Sequence, residues 1–128
     1  MHLSSPQLGR LLAFARIALG LTALVAPKVP AAPWVGSKEA ERSSVQLFAR
    51  TLGARDLALG LGAVTAPNRN GALRSWVLLG AVADLCDAAA TVKDFRQLPK
   101  ISRWFVLAST VGAAAVGAVV AATIENEA

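Results

Sequence analysis

The chain is short of most side chains from which a polar active site is built. Among 128 residues there is no tyrosine, one histidine (His2), one cysteine (Cys86) and one methionine (Met1). One cysteine excludes an intrachain disulfide and a cysteine-rich metal cluster, and one histidine excludes any site that needs two. Cys86 reads as a small buried apolar residue. Charge is scarce too, at 16% of residues, against roughly 25% in an ordinary soluble domain. No GxGxxG, P-loop, HExxH or CxxC pattern occurs, so no cofactor is expected.

What is present is apolar. Hydrophobic residues make up 55% of the chain and the mean hydropathy is +0.51. That excludes disorder and leaves too few polar groups to coat a soluble bundle of this size. Thirteen Lys and Arg against eight Asp and Glu give a net charge of +5. The basic residues form no dense patch with interleaved aromatics, so no nucleic-acid partner is expected.

Four apolar stretches, at about 7–26, 45–66, 75–92 and 101–124, are separated by Pro27, Pro67 and Pro99. Each is about twenty residues long, enough at about 1.5 Å per residue to cross a hydrocarbon core of about 30 Å. The expected fold is all-α: a single integral membrane domain, a four-transmembrane-helix bundle. The fourth stretch is free of charge from Phe105 to Ile124 and reads as an apolar cover. Trp34, Trp76 and Trp104 stand at or just outside the ends of stretches, where interfacial aromatics belong. The link from Pro27 to Ser44 reads as a proline-marked connection, with the Lys38–Arg42 run able to extend the second helix outward. The first stretch reads as retained, because Arg16 would interrupt the apolar core of a signal peptide.

Lysine and arginine set the expected orientation. The connections after the first and third stretches, with their flanks, hold Lys28, Lys38, Arg42, Lys93, Arg96, Lys100 and Arg103; the opposite side holds Arg10, Arg69 and Arg74 with Glu125 and Glu127. The positive-inside rule then predicts a multi-pass cell-membrane protein with both termini extracytoplasmic.

A repeat offset by forty residues sets LGRLLAFARIALGLTALVAPK against FARTLGARDLALGLGAVTAPN, with nine of twenty-one positions identical. Both copies carry a small-residue stripe: Gly9, Ala13, Arg16, Gly20, Ala23 and Ala49, Gly53, Asp56, Gly60, Ala63. Steps of four and three keep each stripe on one helix face, and small side chains let two backbones approach closely. Facing stripes would bring Arg16 to Asp56.

Those charges form the candidate site. An ionised residue at a helix centre costs roughly 2.5–3.5 kcal/mol, and a leucine returns only about 0.5 kcal/mol. The second stretch, with Arg50, Arg55 and Asp56, would therefore insert poorly alone. A buried network of Arg16, Arg50, Arg55, Asp56, Asp84 and Asp87 would balance three charges of each sign. The expected pairs are Arg16–Asp56, Arg55–Asp84 and Arg50–Asp87. Arg50, Arg55 and Asp56 point in three directions around their helix, so that helix is central, or Arg50 snorkels to the interface, or a second protomer supplies a partner.

At GARDLALG (Gly53–Gly60) and AVADLCDA (Ala81–Ala88) the chain resembles a domain family of small actinobacterial four-helix membrane proteins of unknown function. The resemblance covers about residues 8–92. It implies four spans and no particular activity.

The leading reading of function is non-catalytic: a scaffold or a bundle that binds a hydrophobic small molecule or a partner membrane protein within the lipid bilayer. The alternative is a membrane-embedded acid/base enzyme acting on an isoprenoid or quinone-like lipid. There Asp84 and Asp87 would serve as acid and base and Arg55 would hold an oxyanion. A third reading, a proton-coupled transporter, needs a homodimer. The chain resembles small multidrug transporters in length and span number only, and has Arg16 where they carry a first-helix glutamate. Asp84 and Asp87 could offer oxygens to Mg²⁺ or Ca²⁺, but neighbouring arginines compete for them, so no metal is expected.

Overall fold

A computed structural model of the protein describes residues 3–67 and 71–126; Met1, His2, Arg69 and Glu127, considered above, lie outside them. The described residues form six helices: α1 (Ser5–Val25), α2 (Lys28–Val35), α3 (Ser37–Ala40), α4 (Ser43–Thr65), α5 (Ala72–Lys93) and α6 (Lys100–Asn126). The four long ones coincide with the four apolar stretches to within three residues at each end.

Local chemistry sets the boundaries. At the start of α1 the Gln7 side chain accepts the Ser4 N–H at 2.9 Å, and Pro6 occupies the first turn, where no donor is needed. Pro27 and Pro67 stop α1 and α4 by disfavouring helical backbone at the preceding alanine. Gly71, at φ +67°, makes the left-handed turn into α5.

The proline-marked connection differs from expectation. It folds as α2 and α3, and the Lys38–Arg42 run does not extend α4, which begins at Ser43. Pro30 is tolerated because it sits in the first turn of α2, where N–H groups have no intrahelical acceptor. Gly36, at φ +89°, ends α2. Lys28 bonds Glu41 across the turn, and Arg42 pairs with Glu39 at 3.0 Å. Trp34 Nε1 donates to Thr91 Oγ1 at 3.3 Å, tying α2 to α5.

The long helices alternate in direction. α1 lies against α4 antiparallel and α5 against α6 antiparallel, with the two pairs packed side by side. The α1–α4 seam is a backbone-to-backbone contact. A Cβ on Gly20 would lie 2.6 Å from Gly53 O, and one on Gly60 would lie 2.7 Å from Ala13 O. Only glycine allows that approach. The buried members of the two helices include the small residues of both stripes. An apolar cluster of Ala13, Ala63, Leu73, Val77, Val120 and Ile124 fills the end of the bundle where α1 and α5 begin.

The exterior is apolar. Leu11, Phe14, Phe48, Leu85, Phe105 and Val119 are all exposed, while Asp56 and Asp84 are buried at 6% and 8%. Water would favour the opposite arrangement. α1, α5 and α6 are each long and apolar enough to cross a membrane, with a third or less of each apolar window buried. These are the properties of a membrane protein. Cys86 corrects an expectation: it is exposed, on the outward side of α5 beside Leu85, because Asp84 and Asp87 define the inward face.

The seam yields a test. Gly60→Ala should cost about 1–3 kcal/mol, read as earlier unfolding in detergent, because its Cβ meets backbone. Gly112→Ala, with open space at its Cβ, should leave the melting temperature unchanged or raise it. Equal behaviour of the two variants would contradict the close seam.

Candidate functional site

Five of the six candidate charges meet in one chain of ion pairs. Arg16 Nη1 donates to Asp56 Oδ1 at 3.2 Å, and its Nη2 donates to Asp84 Oδ2. Arg55 reaches Asp56 Oδ1 at 3.4 Å and holds Asp87 with two bonds of 2.9 and 2.8 Å. The order is therefore Asp84–Arg16–Asp56–Arg55–Asp87, running from α5 through α1 and α4 back to α5. The two-pronged grip on Asp87 is the geometry in which guanidinium binds carboxylate most strongly.

Helical spacing explains the arrangement. Arg16 and Asp56 hold equivalent places in the two small-residue stripes, so the glycine seam brings them face to face. Gly80, one turn before Asp84, makes room for Arg16: a Cβ there would lie 2.7 Å from Arg16 Nε. Asp84 thus goes to Arg16 rather than to Arg55. Arg55, one residue from Asp56, points away from the α1 seam toward α5 and meets Asp87. Thr91 lies a further turn along α5, its hydroxyl donating to Asp87 O.

Arg50 stands outside this chain, and the expected pairs Arg50–Asp87 and Arg55–Asp84 do not form. Its side chain is exposed, and its Nε donates to Leu24 O near the end of α1 at 3.3 Å. The repeat explains why. Arg50 aligns with Arg10, and Arg10 donates to Val64 O and Ala66 O at the end of α4. Leu24 and Val64 are themselves forty residues apart. Each repeat thus uses its first arginine to satisfy C-terminal carbonyls of the other, where a helix has acceptors to spare and cations are favoured. The identity of Arg10 and Arg50 in the repeat was the available signal for this role.

The two repeats are accordingly related by an approximate two-fold axis through their crossing. Gly20 approaches Gly53 O as Gly60 approaches Ala13 O, positions again related by the same offset. The symmetry breaks at its centre, where one copy has Arg16 and the other Asp56. An identical pair there would repel; the exchanged pair attracts.

Four of these five charges line a partly open cleft of about 670 Å³ bounded by α1, α2, α4, α5 and α6. Asp56, Asp84, Asp87 and Arg55 form its polar side, and Trp34, Phe48, Phe105, Leu52 and Val106 are among its apolar walls. Ser109 and Thr110 bring α6 into the lining, so α6 is a wall as well as a cover. A second cavity of about 200 Å³ touches Arg16 and Asp84 from the α1–α6 side. Arg55 Nε is buried and has no acceptor. No group of three His, Cys, Asp or Glu among the described residues is placed to hold a metal ion, since arginines alternate with the carboxylates. No hydrogen bond joins Asp84 to Asp87 among the described residues; each is held by a different guanidinium.

Trp76 packs over Gly62, whose Cβ would lie 2.6 Å from the ring, so it serves the α4–α5 contact. Trp104 is exposed and meets Phe95 edge-on at 4.9 Å, with the Arg103 guanidinium 4.8 Å from the Phe95 ring. Compared with protein-family models, with curated proteins and with solved structures, the chain matches none.

Arg16 serves two carboxylates, which sets the order of mutational damage. Arg16→Leu should destabilise by about 3–5 kcal/mol, because it removes the guanidinium paired with Asp84 and leaves Asp56 with Arg55 alone. Adding Asp84→Leu should recover part of that loss, since Asp56–Arg55–Asp87 then remains whole. Urea or thermal unfolding of both variants in one detergent measures this; a double variant no better than the single would remove the Arg16–Asp84 pair.

Proposed function

We propose that the protein is a four-span, multi-pass integral membrane protein of the cell membrane that binds a hydrophobic small molecule in the cleft beside its charged core. The observation that carries the reading is the cleft: about 670 Å³, with largely apolar walls and a charged side formed by Asp56, Asp84, Asp87 and Arg55. Ligand sites of roughly 300–1,000 Å³ are typically apolar with a few oriented polar groups. The apolar lining suits a lipid-like tail. The charged side gives a head group partners.

The fourth span is α4. Taken alone it is too charged to insert, but each of its charges has a partner: Asp56 with Arg16, Arg55 with Asp87, and Arg50 with a carbonyl at the end of α1. With 23 residues it is about 35 Å long, enough to cross. The alternating directions of α1, α4, α5 and α6 then give four crossings, with α2 and α3 on the side richer in lysine and arginine. That side is the cytoplasmic one and both termini are extracytoplasmic. The resemblance to the actinobacterial four-helix membrane family, on the Gly53–Gly60 and Ala81–Ala88 patterns, accords with this topology.

A catalytic reading draws on the same cleft, because Asp84, Asp87 and Arg55 all line it. Acid/base chemistry on an isoprenoid- or quinone-like lipid would need one carboxyl free to exchange a proton. Both carboxylates are instead engaged by arginine, which favours binding over turnover.

Two experiments test the proposal. Native mass spectrometry from nanodiscs should find a small hydrophobic molecule retained by the protein and lost from Ser109→Trp, which fills the cleft from an exposed position on α6. Protein that is bare, or equally loaded in both forms, would overturn the binding reading. In a Cys86→Ala background, Leu3→Cys should react with an impermeant maleimide on intact cells, and Ser37→Cys only after permeabilisation. The reverse pattern, or labelling of both from outside, would overturn the topology.

A further inference from the structure

The chain of ion pairs does not balance. With Arg50 turned outward, three carboxylates (Asp56, Asp84, Asp87) share two guanidiniums (Arg16, Arg55). An alternating row that begins and ends with aspartate carries one surplus negative charge. A fourth carboxylate, Asp94, stands at the exposed end of α5 and also lines the cleft. Among the described residues Arg55 is the one Lys or Arg side chain in that lining, and both its terminal nitrogens are committed to Asp87.

Aromatic rings occupy the same space. Trp34 from α2, Phe48 from α4 and Phe105 from α6 line the cleft from three helices. Ring faces attract an organic cation, and most strongly where water is excluded. The carboxylates supply the charge and the rings a surface that an ammonium group can contact without hydrogen bonds. The alternation of arginine with aspartate leaves no group of three acidic ligands for a metal ion among the described residues, which directs the choice to a large organic cation. A carboxylate or phosphate head group would face four aspartates, with only the Nε donor of a guanidinium already held by one of them to set against that charge.

We infer that the ligand of this cleft is a cationic amphiphile: an alkyl ammonium whose charge is set against the Asp56–Asp84–Asp87 side and whose tail lies along the apolar walls. The inference rests on the hydrophobic-ligand reading above and adds the sign of the head group. The ammonium supplies the charge that the network lacks, so binding and charge balance in the core are one event.

The test uses full-length protein in nanodiscs and three probes of equal chain length: dodecyltrimethylammonium, dodecanol and dodecyl sulfate. All are titrated calorimetrically below their micellar concentrations, with empty nanodiscs subtracted. The ammonium should bind at least about tenfold more tightly than the alcohol, a difference of about 1.4 kcal/mol. The sulfate should show no binding that depends on the cleft, and Ser109→Trp should abolish the ammonium signal. Asp87→Asn should cut the preference for ammonium over alcohol to the part that Asp94 supplies, since two carboxylates of the network then face two guanidiniums. Asp94→Asn, at an exposed position outside the ion-pair chain, should lower the preference several-fold without affecting the fold, so the test holds even if Asp87→Asn is unstable. Equal cleft-dependent binding of ammonium and alcohol, or tighter binding of the sulfate, overturns the cationic ligand while the hydrophobic site stands. Indifference of all three probes to Ser109→Trp overturns both.

Discussion

One guanidinium holding two carboxylates from two different helices is the contact on which this molecule depends. Arg16 projects from α1 into a space kept open by Gly80 and joins Asp56 of α4 to Asp84 of α5. In a low-dielectric interior an isolated ion is prohibitive and a paired one is tolerable, so these helices cannot drift apart without stranding charge. Dispersion between small residues gives the α1–α4 seam its closeness. The ion pairs specify which helices meet and in what register.

The same contact shapes the cleft. Because α1 and α4 are drawn together at glycines while α5 packs on α6, the two pairs meet less closely near the α2 end, and the gap between them is lined by the carboxylates. The approximate two-fold relation of α1 and α4 gives this a simple logic. Each copy caps the other's last turn with an arginine, each supplies a glycine to the crossing, and the central position alone is exchanged from Arg16 to Asp56. The exchange turns a site of repulsion into the anchor for a third helix.

Much of this was legible in the residues. The four long helices follow from apolar runs ended by proline, and the Arg16–Asp56 contact follows from two stripes with the same steps. What was not legible depends on direction around a helix and on partners elsewhere in the chain. Asp84 could be assigned to Arg55 by depth alone; Gly80 decides for Arg16, because a missing Cβ matters only once the neighbour is known. Depth alone allows Arg50 to be a core charge or to snorkel to the interface; its repeat partner Arg10 is what points to the carbonyls at the other helix's end. The link carrying Pro27, Pro30 and Pro33 hid α2, since proline argues against helix except in a first turn. Residue type argues for a buried Cys86, but the aspartates on either side of it fix the inner face of α5 elsewhere.

The most direct measurement is solid-state NMR in lipid bilayers on protein carrying ¹⁵N-labelled arginine and ¹³C-labelled aspartate carboxyl groups. The Arg16 guanidinium nitrogens should be dephased by the Asp56 and Asp84 carboxyl carbons and should exchange slowly with deuterated water, while the Arg50 signal should show neither property. An Arg16 guanidinium that exchanges as fast as Arg50 and shows no coupling to either carboxyl would contradict the account.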